Sequence, residues 1–264
     1  MRAVKDAREL PASVRWMEIG ARVLFGLALA TAAGTAVAWV AQRPAFDFAR
    51  IELRGSDGEL KHVSAAAVRT AIAGKLAGGF FTLRMNEARS AFETVPWVAG
   101  ASVRRVWPNR LIVTLTEHRA LGVWSDGRIL SDQGRLFVAN VAEAEVYGPL
   151  IAFEGPAAFA PEAARRFYEF AATLAALSQQ VESVEVSERA SWSLRTVGGQ
   201  SIELGRDDPP GQLRARLDLV AASYPLMLAK FGAAPSRIDA RYPNGLAAAA
   251  PAGMKLVPAP AKKP

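Results

Sequence analysis

The chain has no cysteine. Disulfide cross-links and thiolate metal sites are therefore excluded, and whatever folds must be held by core burial alone. Histidine is almost missing: His62 stands beside a turn and His118 at the end of a strand pattern, and both read as ordinary surface histidines. No G-x-S-x-G, H-E-x-x-H, Walker or G-x-G-x-x-G pattern occurs, so the common nucleophile, zinc and nucleotide signatures are lacking. Glu143, Glu145, Glu182 and Glu185 are scattered, without the spacing of a paired-carboxylate site. Nor does any Lys/Arg run exceed two residues, although the net charge is +7 and the sequence pI is near 10.0. Spread-out arginines argue against a nucleic-acid arm and fit a soluble face near anionic lipid. No cofactor, metal or small-molecule substrate is expected, and nothing supports catalysis.

One long apolar run is present. Residues 23–42 carry no charge and lie between Arg22 and Arg43. As a helix rising 1.5 Å per residue they extend about 30 Å, the hydrocarbon thickness of a bilayer. Val23, Leu24, Phe25, Leu27, Leu29, Val37 and Val40 are its strongest lipid formers, together worth about −2 to −4 kcal/mol of insertion. Ala36-Val37-Ala38 resembles a signal-cleavage triplet. Against cleavage, the preceding tail is long and the run continues through Trp39, an interfacial type of residue. A retained anchor is expected, with residues 1–22 cytoplasmic and the body exported. A buried core helix does not fit, because the run has no polar face.

Beyond the anchor, Phe48 to Leu53 alternates as a strand and Gly55-Ser56-Asp57-Gly58 turns. Ser64 is a good N-cap for a helix whose stripe is Val68, Ile72 and Leu76, stopped by Gly78-Gly79. Phe80-Phe81, between helices, reads as core. Asn86 caps a second helix with Ala88, Ala91, Phe92 and Val95 inward, and Pro96 closes it. A hairpin follows: Ala101, Val103, Arg105 and Trp107 on one face, a turn at Pro108-Asn109, then Leu111, Val113 and Leu115. The order is strand, helix, helix, strand, strand, a small α+β module over 48–117.

A second, β-rich module with two helices is expected over 118–250. Trp124 to Leu130 reads as strand, turn, strand, followed by a turn at Ser131-Asp132-Gln133-Gly134 and a strand at Leu136-Phe137-Val138. Pro161 to Ser178 is a helix, with Phe167, Phe170, Ala171, Leu174 and Leu177 on its apolar stripe. Val181–Val186 is a strand, and Gly198-Gly199 joins two more as a hairpin. Asp207-Asp208 signals a turn or helix start, and Gln212 to Tyr224 is helical until Pro225 kinks or ends it. Ile238, Ala240 and Tyr242 alternate in a last full strand; Pro243-Asn244-Gly245 turns, and Leu246 to Ala250 runs back. Residues 251–264, with four prolines, three lysines and no aromatic, read as a loose tail.

Several of these segments resemble known modules. Arg50-Ile51-Glu52-Leu53-Arg54-Gly55, Val95-Pro96-Trp97-Val98 and Val103 to Leu111 followed by Glu117 resemble a POTRA domain, whose order is the one read above. Trp124-Ser125-Asp126-Gly127, Ser131-Asp132-Gln133-Gly134 and Ile238 to Gly245 are similar to the FtsQ/DivIB family of bacterial cell-division proteins. The resemblance implies a non-enzymatic scaffold of the divisome in the cell inner membrane, concentrated at the septum. Its periplasmic body is expected to bind FtsB and FtsL, two small single-span coiled-coil proteins.

A last strand at a sheet edge offers unpaired backbone groups to an extended partner. Leu246, Ala247, Ala248 and Ala249 are expected to form that edge. The resemblance adds Tyr242, Asn244 and Gly245 as the turn used against the partner. By residue type, Tyr242 is expected to supply a flat aromatic anchor and Arg241 a charge contact to an acidic partner segment. Two departures stand out. The terminal strand is nearly all alanine, a poor strand former. The family often places a basic pair before the hairpin tryptophan, where this chain has only Arg189, followed by Ala190, ahead of Ser191-Trp192. The competing reading is an export or outer-membrane assembly factor, since POTRA modules also accompany barrels; no barrel-like series of alternating segments follows residue 250.

Overall fold

A computed structural model describes residues 12–76, 78–243 and 245–251, with side chains from residue 16. The expected tail over most of residues 1–22, the turn residue Asn244 and the proline-rich end beyond 251 lie outside the described residues.

Helix α1 spans Ala12–Ala41. It begins well before the uncharged run, because its first turns accommodate Arg15, Glu18 and Arg22, the last two joined at i,i+4. The apolar part, Trp16–Ala41, is covered by nothing else in the described chain, so it is not a core helix. Thr35 Oγ1 donates back to the Thr31 carbonyl at 3.0 Å, and Thr31 to Leu27 likewise. Hydroxyls satisfied inside the helix suit a lipid environment. The helix is compatible with a single membrane span.

The described chain then divides into two compact units: one drawn from the residues up to 60, 64–95 and 100–116, the other from 61–63, 96–99 and the described residues from 117 onward. The first holds β1 (Arg50–Gly55), α2 (Ala65–Ile72), α3 (Met85–Glu93), β2 (Val98–Val106) and β3 (Arg110–Glu117). The sheet order is β1-β3-β2, with β1 parallel to β3 and Ile51 opposite Leu111. A parallel pair needs a crossover, which α2 and α3 supply. Val68, Ile72, Ala88, Phe92, Leu111, Val113 and Leu115 are buried as the alternation and stripes require.

Two local expectations fail here. Helix α2 stops at Ile72 rather than near Gly78, because Gly74 turns left-handed at φ 72, leaving Leu76 outside the helix. Ser64 does cap it, its hydroxyl accepting from Ala67 N–H. Helix α3 is entered from Arg84, so Asn86 lies inside the first turn and caps nothing; Glu87 provides the negative charge there and pairs with Arg84 at 2.8 Å.

The second unit holds β4 (Ala120–Trp124), β5 (Ile129–Ser131), β6 (Leu136–Phe137), α4 (Val141–Glu145), β7 (Ile151–Glu154), α5 (Ala160–Ala175), β8 (Val181–Val186), β9 (Trp192–Thr196), β10 (Ser201–Gly205), α6 (Gln212–Phe231), β11 (Arg237–Asp239) and β12 (Ala247–Ala249). They build one nine-stranded sheet among the described residues, ordered β12-β11-β10-β9-β8-β7-β4-β5-β6. Phe170 and Leu174 of α5 and Leu213, Leu217, Val220 and Tyr224 of α6 pack with Trp192, Leu194, Ile202 and Ile238 from the strands into one core. Asp207 starts α6 as the sequence suggests, its carboxylate accepting from Leu213 N–H at 3.0 Å.

Strand β7 and helix α4 are not evident in the sequence. β7 has four residues between Pro149 and Gly155-Pro156, too few for a periodic signal, yet it pairs in parallel with both β4 and β8. Helix α6 runs through Pro225 to Phe231. The proline forfeits one backbone bond, but burial of Met227 and Phe231 beyond it keeps the helix going.

Candidate partner-binding edge

Alanine has little intrinsic preference for a strand, so β12 needs a tertiary reason to exist. Leu246, Ala248 and Ala250 lie partly buried against the main core, while Ala247 and Ala249 face solvent. The register is antiparallel, with Ile238 opposite Ala248 and Asp239 opposite Ala247. Ser236 anchors the far end: its N–H donates to the Ala249 carbonyl at 3.0 Å and its hydroxyl to the Ala250 carbonyl at 2.9 Å. β12 is the first strand of the sheet order, so its outer side is unpaired among the described residues. Since Ala249 turns its carbonyl toward β11, alternation turns the amide and carbonyl of Ala248 outward.

The approach to this edge differs from the sequence expectation. β11 ends at Asp239, and Tyr242 is not part of it. Asp239 causes the turn: its carboxylate accepts from Arg241 N–H at 3.1 Å and from the Arg241 guanidinium at 2.9 and 2.7 Å. These bonds hold the Asp239 carboxyl below its usual pKa range. Ile238 and Ala240 stay buried, whereas Tyr242 swings out and is 56% exposed. Core packing of Tyr242 is thereby ruled out. Arg241 is already engaged by Asp239, but half of its side chain remains accessible. Gly245 leads into β12 with open space where a side chain would lie.

Arg189 falls into a basic hollow of about 410 Å³ lined also by Ser191, Gly205, Arg206, Asp208, Arg216 and Arg241. The Arg216 guanidinium donates to the carbonyls of Leu204 at 2.7 Å and Arg206 at 3.0 Å, and reaches that of Arg241 at 3.5 Å. It thus ties the end of β10 to the turn before Tyr242. Gly205 adopts φ 78, and a Cβ there would press on Arg216 and Arg241. Neither Arg189 nor Arg206 is in an ion pair among the described residues, and both are exposed. Arg206 and Arg216 were missed in the sequence because an arginine after a strand or on a helix looks like ordinary surface charge.

The histidines need correction. His118 is buried, not on the surface: it stacks on Phe137 with ring centroids 4.3 Å apart, and burial pushes its pKa down. His62 stacks on Trp97 at 3.9 Å. Among the described residues no group of three His, Asp or Glu is placed to hold a metal ion.

Comparison with known proteins accords with this architecture. The family description "POTRA domain, FtsQ-type" matches residues 57–118, and "Cell division protein FtsQ/DivIB, C-terminal" matches 122–241, ending just before Tyr242 and β12. Cell division protein FtsQ of Burkholderia pseudomallei is 38% identical over 245 residues, covering 93% of this chain and 96% of that protein. FtsQ of Bordetella pertussis is 37% identical over 89% of this chain and 91% of that protein, and FtsQ of Nitrosospira multiformis 35% identical over 85% and 92%. A relative this similar over nearly its whole length shares the fold and its role in division, and the chain belongs to the FtsQ family of cell division proteins.

Proposed function

We propose that this division protein is a single-span inner-membrane scaffold whose periplasmic body captures FtsB, with FtsL, by strand addition at β12, and so links early and late division proteins at the septum. In this reading residues 1–22 are cytoplasmic, 23–42 cross the bilayer, 48–117 and 118–250 are the two exported modules, and the protein performs no chemistry. The observation that carries the reading is the one-sided pairing of β12. A three-residue alanine edge gains little from its own side chains, so an incoming strand supplies the missing hydrogen bonds. Each is worth about 0.5–1.5 kcal/mol net. The two outward groups of Ala248 give roughly 1–3 kcal/mol before the cost of association, too little alone for tight binding.

The rest comes from the flanks. Tyr242 is a large, exposed ring next to the edge, the residue type that anchors interfaces. The hollow of Arg189, Arg206 and Arg241 faces an acidic stretch of the partner, where the guanidinium groups of Arg189 and Arg206 and the free part of Arg241 add charge-assisted bonds. Arg189 thus contributes even without a basic neighbour, because Arg206 enters the same hollow from another strand end.

The test is co-purification of the detergent-solubilised full chain with the FtsB periplasmic segment. Ala248→Pro removes an outward donor and leaves the β11 pairing in place. Capture is expected to weaken at least tenfold with the melting temperature nearly unchanged. Undiminished capture by Ala248→Pro overturns strand addition at this edge.

A further inference from the structure

Phe80-Phe81 does not enter the core. Phe81 is 50% exposed and Trp107, at the hairpin tip between β2 and β3, is 61% exposed. With Phe46, Phe48 and Phe80 they form one aromatic cluster: Phe46–Phe81 centroids are 5.1 Å apart, Phe80–Phe81 5.2 Å, Phe80–Trp107 5.4 Å and Phe48–Phe80 6.2 Å. Phe46, Phe48 and Phe80 are half-buried in this cluster, but two large rings left wet beside them are a cost for a soluble surface and need a cover.

The connector that follows α1 is part of this cluster. Residues 44–46 make a 3-10 turn, and Phe80 N–H donates to the Phe46 carbonyl at 2.7 Å, while Ala49 N–H donates to the Asn109 carbonyl at 2.9 Å. The chain leaving α1 is therefore fastened to the loop before α3 and to the hairpin tip at once. Phe46 lies five residues after Ala41, at most about 17 Å of extended chain, and less through a 3-10 turn. The Arg43 guanidinium sits 3.4 Å over the Trp39 ring, an aromatic and cationic pair of the kind that marks a bilayer interface. The charge agrees: Arg50 and Arg110 lie opposite one another at this end of the sheet, against Asp47 in the connector and Glu52, which pairs with Arg110.

We infer that Phe46, Phe81 and Trp107 seat the first unit on the lipid surface, their rings at headgroup level and the basic residues toward anionic lipid. The occupant is the bilayer because the connector ties the cluster to within a few residues of the span's end, at the level of the headgroups. The amphipathic indole of Trp107 resists both burial in hydrocarbon and exposure to water, and the apolar rings of Phe46 and Phe81 lie beside it. The seating fixes the tilt of the unit over the membrane. This inference rests on α1 crossing the bilayer.

The lack of native cysteine makes the test clean. The full chain is reconstituted into phosphatidylethanolamine–phosphatidylglycerol vesicles containing nitroxide-labelled lipid, with one fluorophore at a time on Ala30→Cys, Phe81→Cys or Glu59→Cys. Glu59 lies past the far end of β1, about 20 Å from the hairpin tip. Strong quenching is expected at Ala30→Cys and Phe81→Cys and little at Glu59→Cys. Adding Trp107→Ser is expected to cut quenching at Phe81→Cys at least twofold without altering that at Ala30→Cys. If Ala30→Cys is quenched but Phe81→Cys is no more so than Glu59→Cys, the seating is wrong while the span stands. If Ala30→Cys is not quenched, the span fails and the seating with it.

Discussion

The two ends of the nine-stranded sheet face the same hazard and treat it in opposite ways. At one end β6 is only two residues long, and Phe137 within it is walled in by His118 at 4.3 Å and Trp97 at 5.1 Å. Arg135 beside it spends its guanidinium on the Ala99 carbonyl. Short length and bulky cover are how natural sheets blunt an edge. At the other end β12 carries only methyl groups, and no described side chain is bonded across its outer side. Small side chains leave the backbone approachable. One edge is closed by its own sequence, and the other is left open with an exposed tyrosine and a basic hollow beside it.

That contrast is broken most forcefully at Ile238, which is fully buried and lies opposite Ala248. Ile238→Ala is expected to cost about 2–5 kcal/mol, a melting temperature lower by about 4–20 °C, and FtsB capture should fall with it. A variant that melts late and still binds shows that β12 is not seated through β11. Next in size comes the pair of edges compared directly. Against the tenfold loss from Ala248→Pro, Phe137→Ala at the closed edge should leave capture within twofold of the parent chain. Equal losses at both ends erase the distinction.

Tyr242→Ala is expected to weaken capture about tenfold, as for an anchoring aromatic, with no loss of thermal stability because the ring is solvent-exposed. Titration calorimetry checks the first statement and a thermal melt the second. Arg189→Glu should cost about threefold and steepen recovery at high salt, since exposed charges are screened. An effect that ignores salt would remove the hollow from the interface.

The smallest effect belongs to the closed edge. Burial, then the nearby Arg135, lowers the His118 pKa from its ordinary 6.5. The unfolded chain therefore binds this proton more readily, so stability should fall as pH drops below about 6.5. His118→Phe keeps the stack on Phe137 and should flatten that slope between pH 7.5 and 5.5 in thermal melts.

Much of this was legible in residue order. Ser64 capped its helix, Val181–Val186 formed the strand its alternation announced, and Gly198-Gly199 joined a hairpin. These succeed because caps, turns and periodicity act over a few residues. The failures share a cause as well. Ile238, Ala240 and Tyr242 alternate, yet the Asp239–Arg241 bonds turn Tyr242 outward. Four-residue β7 has no pattern of its own but pairs in parallel on both sides. Phe80-Phe81 looked like core, and the connector after α1 gathered the pair into a surface cluster instead.

By itself the sequence determined an uncharged run long enough to cross a bilayer, the order of helices and strands, and a folding reaction with no disulfide to assist it. Only the tertiary structure decided that an alanine tripeptide is a strand at all, that it lies outermost, and that arginines from residues 189, 206, 216 and 241 meet beside it. The reason is range. Local propensity is written in neighbours, whereas the position of a strand in a sheet is set by hydrogen bonds and burial between segments far apart in the chain, and those exist only once the core has closed.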